Sequence, residues 1–248
     1  MISSASLAKL MISIIIPTKN EEAYLAKTLQ SLQRVPDCEV IVSDGNSTDA
    51  TLAIARQFAD RVEVYQGVER QTIAGGRNLG ARHAQGEFLV FLDADVDVPE
   101  PDRFFQRVVE RFRQDDHLMG LTVALRVQPN LANWMDKVVF GTARYVFVCL
   151  NNFLGIGACQ GEFQMIRTEA FRKLGGYRED LVSAEDHDMF YRLSQLGKTH
   201  MQPDLCVFHT GRRAHKIGWP KLLWEWAVAC FGYVFMNRSI RKEWDVVR

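Results

Sequence analysis

Three aspartates follow an apolar run in residues 88–100, FLVFLDADVDVPE. The first five of these residues predict a buried strand, because short apolar runs bounded by polar residues usually form strands. Asp93, Asp95 and Asp97 follow directly, and carboxylates this close repel one another and lose hydration on burial. Mg²⁺ or Mn²⁺ would compensate them, because these cations prefer hard oxygen ligands and often bind phosphate oxygens of a substrate as well.

The acidic segment has two interpretations. On an extended backbone, side chains alternate with a period of two, so Asp93 and Asp95 would project from one side and hold one cation. The alternative is a solvated acidic turn, which is the usual outcome for an isolated Asp-X-Asp sequence. We expect the extended arrangement and a metal ion that holds a phosphate-bearing ligand.

The elements that must position these carboxylates alternate through the first half of the chain. The residue patterns predict four strands and three helices: strands at 12–17, 38–45, 62–67 and 87–95, helices at 20–33, 47–59 and 72–85. This alternation predicts a mostly parallel α/β sheet with right-handed crossovers, in which ligands bind beyond the carboxyl ends of the strands. The polar clusters PTKNEE, SDGNSTD and DADVD fall at those ends, so we expect them to share one crevice.

The second half of the chain has a different character. Its patterns predict a helix over 101–112, a strand near 121–127, an aromatic-rich stretch over 132–150, a strand leading into a helix over 162–177, a helix over 184–197 and a short last strand at 206–209. No internal repeat divides it from the first half.

Composition restricts the function classes. The 248 residues contain 30 basic and 30 acidic side chains, so no overall charge favours nucleic acid as a partner. From Gly211 onward, however, eight basic residues face three acidic ones, a net charge of +5. The five cysteines have no paired spacing, which favours a reducing, cytoplasmic location over a disulfide or zinc framework. The first residues lack the pattern of a signal peptide.

Four ordered segments carry a family resemblance: PTKNEE, VSDGNSTDAT, GGRNLGARHAQGEFLVFLDADV and GGYREDLVSAEDHDMFYRLSQLG. In this order and spacing they closely resemble a family 2 glycosyltransferase, from about residue 12 to about residue 213. The resemblance implies the GT-A fold, a mostly parallel central sheet flanked by helices. It also implies inverting transfer of a sugar from a nucleoside diphosphate sugar, which we expect to be UDP-linked, with Mn²⁺ or Mg²⁺ as cofactor.

The resemblance further implies roles for individual residues. Asp44 would lie near the nucleotide base, Arg77 would support the nucleotide, Asp93 would contact ribose and metal, and Asp95 would be the main metal ligand. The residues expected around base and ribose are Pro17, Thr18, Asn20 and Glu21.

Asp186, within AEDHD, is implied as the catalytic base. Inverting transfer needs such a group, because the acceptor hydroxyl must lose its proton as it attacks the anomeric carbon. Glu185 is expected beside the substrate. For both acids the alternative is a purely structural role, since carboxylates stabilise the first turn of a helix.

Three further residues lie at the end of the predicted last strand or just after it. Neutral imidazole can bind a transition metal, so His209 is a candidate ligand, and its alternative is a packed or surface histidine. Arg212 and Arg213 suit a diphosphate clamp, because guanidinium binds phosphate in a bidentate manner. Their alternative is a basic pair at an interface.

Domain boundaries follow from these expectations. We expect a disordered extension over 1–11, a glycosyltransferase domain over 12–213 and an amphipathic helical tail over 214–248. Within the domain, 12–98 would bind the nucleotide and 99–213 would contribute the acceptor and catalytic half.

The tail combines tryptophans with flanking cations. About fifteen residues between Lys221 and Arg238 are apolar, too few to span a membrane, which needs ~20. Interfacial aromatics beside basic residues favour a helix over 219–236 that contacts the inner membrane face peripherally. The alternatives are packing on the domain or on a second subunit in a homodimer.

We therefore expect transfer of one sugar to a hydroxyl or phosphate acceptor, with a lipid or polyprenyl carrier as candidate. A sugar-phosphate nucleotidyltransferase is the enzymatic alternative, but IIPTKNEEAYL lacks the glycine-rich loop that it needs. A non-catalytic nucleotide-binding protein is the other alternative, and the presence of all four key aspartates argues against it.

Overall fold

A computed structural model describes residues 12–240 of the chain. The expected extension over 1–11 and residues 241–248 of the tail lie outside the described residues. Seven strands form one sheet in the order β3-β2-β1-β4-β6-β5-β7. They are β1 (Ile12–Thr18), β2 (Cys38–Asp44), β3 (Arg61–Val64), β4 (Phe88–Leu92), β5 (Leu118–Val127), β6 (Phe163–Arg167) and β7 (Lys198–His209).

Helices cover both faces of this sheet, and two more helices follow its last strand in the chain. They are α1 (Leu25–Leu32), α2 (Thr51–Phe58), α3 (Ile73–Ala81), α4 (Pro101–Gln114), α5 (Trp134–Val148, followed by a π-helical turn at Cys149–Phe153), α6 (Thr168–Lys173), α7 (Glu185–Ser194), α8 (Arg212–Ile217) and α9 (Trp219–Met236). Helix α8 begins at Arg212, and the expected boundary between the domain and the tail stays a prediction. None of the helices between residues 12 and 240 is long and apolar enough to cross a membrane.

The expected mostly parallel sheet is confirmed, with one reversal. β1 runs parallel to both β2 and β4, β2 to β3, and β5 to β7. β6 runs antiparallel to its two neighbours, β4 and β5. This reversal brings the start of β6 beside the end of β4, where the acidic segment begins.

Alternating side chains of the central strands supply two separate cores. Ile14 and Ile16 of β1 face the cluster that contains α1 and α4 residues, whereas Ile15 faces the cluster with α3 and α7. Successive strand side chains point to opposite faces, and both faces here are covered by helices. That double coverage explains why β1 and β4 have apolar residues at almost every position.

The last strand is longer than the sequence suggested. We expected a strand at 206–209, but β7 begins at Lys198. Its register with β5 jumps from Val123↔Gln202 to Ala124↔Cys206, so residues 203–205 bulge out of the ladder. Pro203 lies in this bulge, where its missing N–H costs no ladder hydrogen bond. A proline within polar neighbours hid the first half of the strand from pattern analysis.

Candidate active site

The polar loops after β1, β2 and β4 converge with the end of β7 and the start of α7, which is the crevice expected from the sequence. The loops after β1 and β2 are joined by hydrogen bonds at one side of this crevice. The Asp44 carboxylate accepts hydrogen bonds from the Thr18 hydroxyl (3.2 Å) and from the backbone N–H and hydroxyl of Ser47 (2.8 and 2.6 Å). The backbone N–H of Asn20 donates to the Ser47 hydroxyl at 2.8 Å. Asp44 is fully buried, with 0% exposure, so it organises the loop that a base would meet.

The neighbouring residues of the β1 loop are more accessible. Pro17 and Asn20 are partly exposed, and Asn20 adopts a left-handed backbone conformation with φ of 55°. Its side-chain carbonyl accepts from the backbone N–H of Thr48 at 2.7 Å. Asparagine tolerates this conformation better than most residues. The loop therefore keeps a fixed, partly open shape at the carboxyl end of β1.

The acidic segment after β4 is a turn, so the expected extended arrangement of Asp93 and Asp95 is wrong. β4 ends at Leu92, and the backbone N–H of Val96 donates to the carbonyl of Asp93 at 3.2 Å. The chain then returns to the sheet, where Asp97 exchanges two backbone hydrogen bonds with Phe208 of β7. A strand cannot continue straight here because the chain must turn to reach β7. The turn gives the two carboxylates different neighbours.

Asp93 faces a buried cation. The Arg77 guanidinium, 2% exposed, contacts the carboxylates of Glu185 (3.0 Å) and Asp93 (3.5 Å) and donates to the carbonyl of Gly161 at 2.9 Å. It also lies over the Tyr177 ring, 5.3 Å from the centroid. Burial opposes its charge, but Tyr177 and the nearby carboxylates hold the pKa of Arg77 above its usual value. Arg77 thus lies beneath the crevice, where any support of a nucleotide acts through these carboxylates.

Asp95 faces a different set of groups. Its carboxylate accepts from the Thr210 hydroxyl at 2.5 Å and lies 3.5 Å from Nε of Arg212. Arg212 in turn forms a bidentate pair with Glu21 at 2.8 and 2.6 Å. Its guanidinium also lies over the Tyr24 ring at 5.4 Å. Arg212 therefore joins the β1 loop to the acidic turn, in a position where an incoming diphosphate would compete with Glu21.

Arg213 pairs with an acid of α9, and its expected role in a diphosphate clamp stays a prediction. Its guanidinium contacts the Glu225 carboxylate of α9 at 2.9 Å, and Glu225 is 1% exposed. A buried carboxylate requires a partner of this kind, because an unpaired charge loses its hydration. Arg213 therefore connects α8 to α9.

Asp186 lies in the first turn of α7, beside a glycine that leaves room for it. Its Oδ1 accepts from the backbone N–H of His187 at 2.8 Å, and its Oδ2 lies 3.4 Å from the point where a Cβ on Gly161 would stand. The same Cβ would approach Arg77 to 3.1 Å. Ala184, just before the helix, has φ of 65°. The glycine allows the loop before β6 to pass between the buried cation and the Asp186 carboxylate.

A further carboxylate in the crevice, Glu162, was missed in the sequence. Its backbone carbonyl accepts from the N–H of Asp93 at 3.3 Å, because antiparallel pairing places Phe163 opposite Leu92. Burial, together with the charges of Asp93 and Asp186, raises the pKa of Glu162 from its ordinary 4.5 to about 8. No local pattern marks this residue, since only the reversal of β6 brings it to the acidic turn.

The other acids of the crevice respond to the same crowding. Partial loss of hydration raises the pKa of Asp93 to about 6, although its side chain is 37% exposed and Arg77 opposes the rise. Burial and Asp186 raise the pKa of Glu185 to about 7. Carboxyls that keep protons near neutrality indicate a site short of positive charge.

His209, at the end of β7, fits a metal-binding role by its environment. Burial lowers its pKa to about 4 despite Asp95, so the imidazole is neutral. Its Nε2 is buried and meets no hydrogen-bond partner in the described part of the chain, whereas Nδ1 accepts a long contact, 3.4 Å, from the Gly211 N–H. Ligation through Nε2 would move the ring proton to Nδ1 and replace that contact.

Within residues 12–240, no three His, Cys, Asp or Glu side chains lie close enough to hold a metal ion by themselves. Asp95 is close enough to His209 for its charge to act on the pKa of the imidazole. The excess of carboxylates around the two residues favours a cation. A metal here would need further oxygen ligands, and diphosphate oxygens of a substrate would supply them. The donor set fits a metal that binds together with its nucleotide.

Comparison with known proteins adds a family. A family model described as glycosyl transferase family 2 matches residues 13–175. A beta-monoglucosyldiacylglycerol synthase from a Nostoc species is 27% identical over 95% of the chain and 54% of its own length. Chondroitin synthase from Escherichia coli is 27% identical over 79% of the chain and 28% of its own length. The chain thus spans only about half, or less, of these relatives.

Solved structures with the same fold contain bound nucleotides. A mannosyltransferase from Pyrobaculum calidifontis in complex with GDP-mannose and Mn²⁺ superposes with a TM-score of 0.71 at 22% identity, covering 91% of this chain and 64% of that one. A glucosyl-3-phosphoglycerate synthase from Mycobacterium tuberculosis, in complex with Mn²⁺, UDP-glucose and phosphoglyceric acid, has a TM-score of 0.63 at 20% identity, covering 91% and 80%. At these identities the likeness shows the fold.

Proposed function

The chain belongs to glycosyl transferase family 2, and from that premise we propose that it transfers one sugar, with inversion, from a UDP-sugar to a hydroxyl of a membrane lipid. The observation that carries this proposal is that candidate residues for donor binding and a candidate base lie in one crevice. Arg77 contacts both Asp93 of the acidic turn, at 3.5 Å, and the carbonyl of Gly161, at 2.9 Å, and the carboxylate of Asp186 lies beside the same glycine. A donor bound at the turn would therefore present its sugar to a base.

The donor would enter at the carboxyl ends of β1, β2 and β4. The interlocked loops would hold base and ribose, with Thr18, Asn20 and Glu21 around them and Asp44 fixing the loop from below. Arg212 would exchange part of its pairing with Glu21 for the diphosphate, because guanidinium binds both partners in the same bidentate geometry.

The cation site would consist of Asp95 and His209, with Asp93 beside the ribose. Mn²⁺ or Mg²⁺ bound there would neutralise charge that develops on the departing diphosphate. The mannosyltransferase and synthase structures named above contain Mn²⁺, which supports this assignment. Without a cation, the diphosphate would face Asp93 and Asp95 as like charges.

Asp186 would act as the base. Its position in the first turn of α7 lets the helix amides stabilise the carboxylate before transfer, and it would accept the proton of the acceptor hydroxyl as the sugar bond forms. Glu185, held by Arg77, would support the geometry from the buried side. The departing nucleoside diphosphate leaves on the opposite face of the sugar, which gives inversion.

A lipid acceptor is supported by the apolar surface beside Asp186. On α9, Trp224, Phe231 and Phe235 form one exposed stripe, with exposures of 68%, 54% and 74%. Positions seven and eleven residues apart share a helix face. Trp219 and Leu222 face the domain, so the helix has a packed side and a free apolar side.

This apolar stripe is close to the chemistry. The pKa of the Cys230 thiol on α9 is raised, mainly by partial burial and to a smaller extent by the charge of Asp186. Cys230 is therefore near Asp186. On the other side, the Phe147 ring of α5 lies 5.9 Å from His187, next to the base. α5 exposes Trp134, Val138 and Tyr145. A lipid-bound hydroxyl would thus reach Asp186 between two apolar helices, and a beta-monoglucosyldiacylglycerol synthase is among the similar proteins.

One assay series tests this proposal. UDP release is measured for a panel of UDP-sugars with Mn²⁺ or EDTA, with diacylglycerol-containing vesicles as acceptor and lipid-free buffer as control. We expect release that depends on Mn²⁺ and on lipid, with sugar recovered on the lipid. Lipid-independent transfer, or release of pyrophosphate in place of UDP, would refute it.

Flotation on anionic vesicles tests the membrane contact separately. We expect wild type to float and the double variant Trp224→Ser/Phe235→Ser to remain in the soluble fraction. Basic residues attract the protein to an anionic surface, and exposed aromatic side chains insert into it. Tyr191→Ser, which also removes an exposed aromatic but lies on α7, is the control. If wild type instead sediments as a dimer that the double variant abolishes, the stripe is a contact between two copies of the chain.

A further inference from the structure

We propose that the end of α9 positions the catalytic base, with Ser239 as the positioning residue. Residues 178–184 form a loop that leads directly into α7 and Asp186. This positioning role rests on the proposed function only for the role of Asp186, because the contacts themselves are independent of any substrate.

The Ser239 hydroxyl occupies the centre of this loop. Its Oγ accepts from the backbone N–H of Val182 at 2.8 Å and from that of Ser183 at 3.3 Å, and lies 3.4 Å from the carbonyl of Ser183. One side chain, 56 to 57 residues away in the chain, thus ties two successive amides immediately before the helix. Successive amides that share one acceptor have their peptide planes fixed relative to each other.

A second connection holds the start of the loop. The Arg178 guanidinium donates to the side-chain oxygen of Asn237 at 2.6 Å and to its backbone carbonyl at 3.1 Å. Arg178 also lies 3.6 Å from Asp188, a buried acid in the first turn of α7. Burial and the charge of Asp188 raise the pKa of Tyr233 on α9. The residues at the end of α9 are therefore bonded to the loop and, through Arg178, to the helix that carries the base.

The loop needs such support because its last residue has an uncommon backbone. Ala184 has φ of 65°, in the left-handed region that alanine seldom adopts, and it is the N-cap of α7 without a side-chain capping bond. Such conformations persist only where neighbouring contacts hold them. The Ser239 bonds to the N–H groups of residues 182 and 183 fix the peptides 181–182 and 182–183, shortly before Ala184. They thereby fix the direction in which α7 presents Asp186.

The test compares three variants of the full chain. Ser239→Ala removes the hydroxyl, Ser239→Thr keeps it, and Ser194→Ala is the matched control. Ser194 also donates its hydroxyl to a carbonyl, Tyr191 at 2.7 Å, but at the opposite end of α7. Hydrogen–deuterium exchange of residues 178–184 and steady-state transfer from UDP-sugar are measured for each variant.

We expect Ser239→Ala to accelerate exchange in residues 178–184 about five-fold, the factor that corresponds to one net hydrogen bond. We expect its kcat to fall by a similar factor while the KM for the UDP-sugar is unchanged. Ser239→Thr should restore both values, and Ser194→Ala should alter neither. A loss of general stability would instead accelerate exchange throughout the domain.

Asn237→Gly provides a second, independent variant. Glycine keeps the left-handed conformation of this residue, φ of 50°, and the carbonyl contact, and it removes only the side-chain bond to Arg178. It should also accelerate exchange in the loop. Unchanged exchange in both Ser239→Ala and Asn237→Gly would overturn the inference. If wild type transfers no sugar but the exchange changes occur as described, the positioning contact stands and the proposed reaction fails.

Discussion

Replacement of Arg77 by methionine should destabilise the protein strongly, and more at high pH than at low pH. Methionine fills much of the same volume but leaves Glu185 buried without its partner 3.0 Å away, and it removes the bond to the Gly161 carbonyl at 2.9 Å. Loss of one partner of a buried ion pair costs about 3–5 kcal/mol. The contact with Asp93 adds little, because that carboxylate is 37% exposed and 3.5 Å away.

The pH dependence follows from the proton of Glu185. In wild type its pKa is about 7, and Arg77 is among the groups that lower it. Without Arg77 this pKa rises further, so the folded variant keeps a proton that the unfolded chain has released. A folded state that binds more protons loses stability as pH rises. The difference from wild type should therefore grow above pH 7, by about 1.4 kcal/mol for each unit of further rise in the pKa.

Chemical denaturation at pH 6 and pH 9 measures both effects. We expect a loss in the free energy of unfolding of about 3–5 kcal/mol at pH 9. At pH 6, where Glu185 is neutral in either protein, we expect about 1–2 kcal/mol for the unmade hydrogen bonds. Arg82→Met, an exposed position at the end of the same helix, is the control and should change little at either pH. Equal losses at the two pH values, or a loss below about 1 kcal/mol at pH 9, would refute this account of Arg77.

Three further predictions concern the crevice. Asp186→Asn should lower single-turnover transfer by about 10²–10⁴-fold with UDP affinity unchanged in a parallel titration, and near-normal transfer would exclude it as the base. UDP should bind wild type more tightly in Mn²⁺ than in EDTA by calorimetry, and Asp95→Asn should reduce that difference, whereas equal affinities would exclude a metal role for Asp95. Because the pKa of Glu162 is raised to about 8, its contribution to stability should decrease as pH rises from about 5 to 9. Glu162→Gln should therefore make the melting temperature less dependent on pH over that range, and an unchanged slope would contradict this prediction.

The convergence of the loops was predictable because it depends on short-range patterns. Alternating apolar runs and helix faces located β1, β2 and β4, and parallel strands deliver their carboxyl ends to one edge. The antiparallel β6 and the first half of β7 depend on long-range pairing, and Pro203 in the bulge broke the apolar pattern. Glu162 was missed for that reason, since it reaches the acidic turn only through the register of β6 with β4.

Some residues of the sequence motifs are buried and support the loops, whereas others are accessible to a ligand, and the linear sequence does not separate the two groups. Asp44 and Arg77 stand within recognisable motifs, yet the first is fully buried and the second is 2% exposed. A residue type that suits ligand binding suits loop construction equally well, because carboxylates and guanidinium groups form the strongest hydrogen bonds in either setting. Sequence spacing identifies which loops meet, and only the packing beneath them separates Arg77, which holds the site from below, from Arg212, which lies at its open edge.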